Sequence, residues 1–213
     1  MRLFTTIFLF IILIFSCEKK KINTPKIEAY YKFEASDESM LLNYTPNQLI
    51  LFKNEIGTEL YFQYIKSEFD LKQLYGAGWG FFGGKGGYFY YDTKTIWYRT
   101  LPDSNVFIIN FTKWPLDIES AKSDKYFQFP SELEIHISYF PFWNETSNSI
   151  GVTGYNLTSL TINGVFYTNV KKMISTNNVI SVGMKNVNVI YYKDNIGIIG
   201  FDDLENHKWR IQL

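Results

Sequence analysis

The dominant period along this chain from Tyr30 onward is two. In Glu132–Tyr139, Leu133, Ile135, Ile137 and Tyr139 alternate with Glu132, Glu134, His136 and Ser138. That alternation predicts a strand with one face buried. The last six residues repeat it: Trp209, Ile211 and Leu213 on one face, Lys208, Arg210 and Gln212 on the other. Asn163-Gly164 sits between two β-rich runs, a strong hairpin signal. A two-residue turn there pairs Ile162 with Val165 and Leu160 with Tyr167. Further turns are expected at Asn54–Gly57, Asp92–Lys94 and Lys193–Asn195, each between apolar runs. The run Val106–Phe111 is continuously apolar and predicts a strand covered on both faces. Ser67–Tyr75 carries Phe69, Leu71, Leu74 and Tyr75 at a spacing that hints at one short helix. Leu116–Asp124 reads as a loop or a single turn. The pattern therefore predicts one mainly β domain of about ten antiparallel strands. Its form is a single antiparallel β-sandwich or a strongly curved, partly closed β-sheet, with at most one short helix.

The first 17 residues depart from this pattern. Arg2 precedes an apolar run from Leu3 to Phe15 that is too short to cross a bilayer comfortably and fits a secretory signal. It ends in Ile14-Phe15-Ser16-Cys17, which resembles the bacterial lipobox. There the Cys thiol receives a diacylglycerol and becomes the new N-terminus. Cys17 is the single Cys of the 213-residue chain, so no disulfide accounts for it. An ordinary signal peptide with a chance Cys, or an N-terminal membrane helix, is the alternative. Glu18–Ala29 is polar, holds Pro25 and has no hydrophobic period; it reads as a solvated tether. The expected organisation is thus a signal peptide over 1–17 ending at the lipidated Cys17, a tether over 18–29, and a β-rich domain over 30–213. Glu18, directly after Cys17, is not the Asp associated with inner-membrane retention in some bacteria. The expected location is therefore the cell envelope, lipid-anchored, on the outer membrane.

Charge excludes one class of partner. The chain holds 21 Lys+Arg and 21 Asp+Glu, so nothing forms the basic stripe that a nucleic acid requires. Aromatic residues make up 19%, which suits pleated, half-buried surfaces.

Gly76–Gly87 is the most distinctive segment. It contains Gly78-Trp79-Gly80-Phe81-Phe82-Gly83, a literal G-x-G-x-x-G. A dinucleotide fingerprint needs a strand before it and a helix after it. Here a β-rich run follows and no βαβ alternation exists, so no nucleotide cofactor is implied. Two readings of its aromatic residues stand. Trp79, Phe81 and Phe82 are ligand or partner contacts on a mobile surface loop, for a protein or a glycan. Alternatively they fold back over an open edge of the core. Asp202, Asp203, Glu205 and His207 gather near the C-terminus but lack the spacing of a calcium loop, and no metal is assigned. No nucleophile motif is present, and no catalytic residue or cofactor is assigned. Two function classes follow. One is a non-enzymatic anchored binding or structural module. The other is a hydrolase or glycan-processing lipoprotein with carboxylates in no recognisable motif.

The lipobox run Ser16–Lys21 and the abundance of Asn, Ile, Lys, Phe and Tyr resemble small, uncharacterised lipoproteins of the Bacteroidota. The Asn163-Gly164 hairpin, Tyr191-Tyr192, Gly197–Phe201 and the terminal strand with Trp209 resemble an ending that recurs in that group. The resemblance covers the signal and roughly residues 157–213. It implies envelope anchoring and carries no activity.

Overall fold

The computed structural model describes residues 26–75, 88–102, 104–138, 156–174, 187–203 and 205–212. These form eleven strands and two short helices: β1 (Tyr30–Tyr31), α1 (Ala35–Glu38), β2 (Leu49–Lys53), β3 (Glu59–Tyr75), β4 (Tyr88–Leu101), β5 (Val106–Pro115), α2 (Ile118–Ser123), β6 (Ser131–Ser138), β7 (Asn156–Ile162), β8 (Val165–Ile174), β9 (Val187–Lys193), β10 (Gly197–Asp203) and β11 (Lys208–Gln212). Ten strands follow one antiparallel path, β6-β5-β4-β3-β2-β11-β10-β9-β8-β7. β1 stands off this path and pairs with β4 in parallel, Tyr30 opposite Tyr90 and Tyr31 opposite Tyr91. Among the described residues the two ends of the path, β6 and β7, do not pair, so the sheet is not closed.

The sheet is strongly curved. Phe62 on β3 and Phe201 on β10 stand three strands apart, a span of about 14 Å on a flat sheet. Their rings stack at 5.9 Å. Leu133 and Ile135 of β6 share one apolar core with Ile162 of β7 and with Tyr167, Val170 and Met173 of β8. One face of the whole sheet therefore curls around a single interior. The space left at its centre, beside Tyr44, Phe52, Phe62 and Phe107, is about 10 Å³, no larger than one water needs.

The segment between β1 and β2 closes one side of this interior. Leu41 and Leu42 are buried in it. The Tyr44 hydroxyl donates to the Ile196 carbonyl at 2.7 Å, and the Tyr192 hydroxyl to the Met40 carbonyl at 3.2 Å. Gly197, with φ +92°, lies where a Cβ would come within 2.6 Å of the Tyr44 hydroxyl, so no larger residue fits there. Three buried lysines face this assembly. Lys94 donates to the Leu42 carbonyl at 2.6 Å and to the Asn43 side chain at 3.1 Å. Burial pulls its pKa below the ordinary lysine value. Lys113 pairs with Asp37, and Lys171 with Asp194.

Several expectations hold and several are corrected. Ile162 pairs with Val165 and Leu160 with Tyr167. Asn163 and Gly164 both take positive φ, 50° and 82°, as a type I′ turn requires. Ser67–Tyr75 is not a helix: it is the outer half of β3, paired residue by residue with β4 from Ser67–Ile96 to Tyr75–Tyr88. Asp92–Lys94 is not a turn but the middle of the continuous β4. Val106–Phe111 is covered on one face only. Phe107, Ile109 and Phe111 are buried there, while Ile108 and Asn110 are half-buried. Leu116–Asp124 contains α2, whose first turn is capped by Asp117 accepting from the Ser120 amide.

Candidate functional site

The far end of β4 builds a second, smaller structure. β5 pairs with β4 only from Thr93 to Arg99. Beyond Thr93, β1 takes the vacated edge. Period two then sends alternate residues to opposite faces. Phe89 and Tyr91 join Tyr31, Ala29 and Ala121 of α2 in a separate apolar cluster, with Trp114 stacked on Tyr91 at 4.4 Å. Tyr88, Tyr90 and Asp92 point to the other face. That face continues the line of Ile96 and Tyr98, but here the apolar interior has ended and the surface is open.

Lys26, Ile27, Glu28, Tyr30, Leu71 and Tyr90 line a groove of about 420 Å³ on this open face. This volume lies within the range of small-molecule sites. Tyr30 and Tyr90 are register partners on neighbouring strands, so their side chains stand next to each other. Leu71 on β3 is 56% exposed and Tyr30 is 43% exposed. These are large apolar areas that the described part of the fold leaves in contact with solvent.

The tyrosines of the groove are held by carboxylates. The Tyr30 hydroxyl donates to Asp92 at 2.6 Å, and the second Asp92 oxygen accepts the Phe33 amide at 2.8 Å. That bond, together with burial, pushes the Tyr30 phenol up to about 12. Partial burial would raise the Glu28 carboxyl. Hydrogen bonds from Tyr88, Lys125 and Tyr90 outweigh it and hold the carboxyl below the ordinary glutamate value. Lys125 lies 3.1 Å from Glu28 and 4.2 Å from the centre of the Tyr88 ring. Glu28 is therefore a junction that fixes two tyrosines and a lysine together. The chain enters the domain here: the Ala29 amide donates to the Lys125 carbonyl and its carbonyl accepts from Tyr90. Glu28 and Ala29, which the sequence pattern places at the end of the tether, already belong to the fold.

The acidic group near the C-terminus has a different role. Asp203 is buried and its two oxygens accept from the amides of Glu205 and His207 and from the Trp209 indole. His207 Nδ1 lies 3.1 Å from it. Asp203, Glu205 and His207 are close enough together to hold an ion, yet the Asp203 lone pairs are spent on the turn between β10 and β11. His136, expected on a polar strand face, is half-buried and pairs with Glu134 at 2.7 Å.

Trp79, Phe81 and Phe82 lie outside the described residues, as does Cys17. The groove residues Glu28, Tyr30 and Tyr90 are not singled out by the sequence pattern. Their signal is the alternation of tyrosines in Tyr88–Tyr91, whose even members face the groove while the odd positions 89 and 91 are buried. The chain matches no protein-family model, no curated protein and no solved structure.

Proposed function

We propose that this chain is a lipid-anchored protein of the bacterial cell envelope, held on the outer membrane through Cys17, and that its β domain is a non-enzymatic binding module. Its contact face is the tyrosine groove. One observation carries the reading: the groove joins exposed apolar area to tyrosines already immobilised by Glu28 and Asp92. Side chains ordered before a ligand arrives lose little entropy on binding. Glu28 and Asp92 serve to hold these tyrosines in place.

The anchor and the groove belong to one arrangement. Lys26 follows Cys17 by nine positions, and an extended chain of that length spans at most roughly 30 Å. An acylated Cys17 therefore keeps the groove close to the membrane surface. Metabolic labelling with an alkyne fatty acid tests the anchor. Wild type takes up label and sediments with outer membranes; Cys17→Ser takes up none and is released. Equal labelling of both overturns the proposal.

A further inference from the structure

We infer that the ligand of the groove is a neutral saccharide; the inference rests on reading the domain as a binding module. Three features of the groove select this chemistry. The first is the pair Tyr30 and Tyr90, side by side and partly exposed, with Leu71 beside them. Aromatic side chains supply a rigid apolar surface with a polar tip. The C–H face of a pyranose is apolar and its rim carries hydroxyls, so it matches such a surface. The second feature is the balance of charge. Of the six residues lining the groove, Lys26 carries the one positive charge and Glu28 the one negative. Lys26 lies 5.0 Å over the Tyr126 ring, and Glu28 is paired with Lys125. The six lining residues therefore carry no net charge, which suits a neutral ligand. The third is acceptor capacity. An ionised carboxylate offers about four lone-pair sites; Lys125 donates to Glu28 at 3.1 Å with Tyr88 and Tyr90 beside it, leaving room for a sugar hydroxyl.

A flat apolar protein partner would bring no donor to the remaining Glu28 acceptor site. A lipid phosphate brings acceptors and no donor to that site. A polyhydroxylated neutral ring meets neither obstacle.

The mature chain, purified in detergent, is titrated by calorimetry with maltohexaose, cellohexaose and chitohexaose, and in parallel with oligogalacturonate and with phosphatidylglycerol vesicles. Saturable binding of at least one neutral oligosaccharide, unchanged between low and high salt, is expected. Tyr90→Ala and Leu71→Ser should each weaken it at least about tenfold, the equivalent of ~1.4 kcal/mol, with circular dichroism unchanged. Tyr90→Phe keeps the ring and should retain most of the affinity. Salt-sensitive binding of oligogalacturonate or vesicles alone overturns the assignment, as does the absence of binding to every neutral sugar. Acyl label on Cys17 with no sugar binding sinks the saccharide and leaves the anchored module standing. Sugar binding without label does the reverse.

Discussion

Lys113 Nζ lies 2.8 Å from Asp37 Oδ2, and both side chains are buried. The pair joins β5 to α1 across 76 positions of sequence. Asp37 also accepts the Glu34 amide at 2.8 Å, so one carboxylate holds both the helix start and the lysine. Removing one partner of a buried pair leaves the other charge uncompensated, which costs about 3–5 kcal/mol. Asp37→Ala should therefore lower stability by about that amount in urea unfolding. The double variant Asp37→Leu with Lys113→Met should recover much of it, because apolar replacement of a buried pair is often neutral or better. Equal losses in the single and double variants would show that the pair does not hold the segment in place.

β11 is the last strand in sequence but stands mid-sheet, between β2 and β10. Trp209 and Ile211 are buried, at 2% and 3% exposure, and the Trp209 ring stacks on Phe201 at 5.6 Å. Without β11 the sheet divides into two halves that meet only through side chains. Deleting Lys208–Leu213 should abolish cooperative thermal unfolding. Trp209→Ala alone should cost about 3–5 kcal/mol. A truncated chain melting at the wild-type temperature would refute this placement.

Local patterning made β6, β11 and the Asn163-Gly164 hairpin readable, because each is settled by neighbours in sequence. Phe69 and Leu71 were not, because nothing local distinguishes a helix face from an exposed strand there. The deciding fact is the partner: Phe69 opposes Lys94 and Leu71 opposes Asp92. Asp92 and Lys94 misled for the same reason. Both look like turn residues, yet Asp92 is anchored by Tyr30 and Phe33 and Lys94 by the Leu42 carbonyl. A strongly curved sheet was one of the two forms that about ten antiparallel strands in one domain allow, and so was readable in kind. The groove was not, since it depends on β1 returning to pair with β4 from 60 positions away.

Alkaline pH should destabilise the fold through its tyrosines. Burial, then the bond to Asp202, pushes Tyr191 up to about 12. The bond to Asp92 does the same to Tyr30. Burial also raises Tyr98 and Tyr192 well above the ordinary value. In the unfolded chain each ionises near 10. A raised folded pKa contributes stability that is complete below the unfolded value and is lost as pH rises from about 10 through about 12. Phenolate absorbance should therefore lag at pH 10 and then rise together with loss of circular dichroism. Tyr191→Phe should weaken the pH dependence in that window. Free titration of all tyrosines near 10 with the fold intact would contradict this account.

The central claim is that the tyrosine groove is a contact face in the living envelope. A photo-crosslinking amino acid placed at Leu71, on the groove, and separately at Phe166, exposed on β8, tests it most directly. Irradiated cells should yield discrete adducts from position 71 and none from position 166, and Tyr90→Ala should remove them. Adducts of equal strength from both positions, or none from position 71, would contradict the claim.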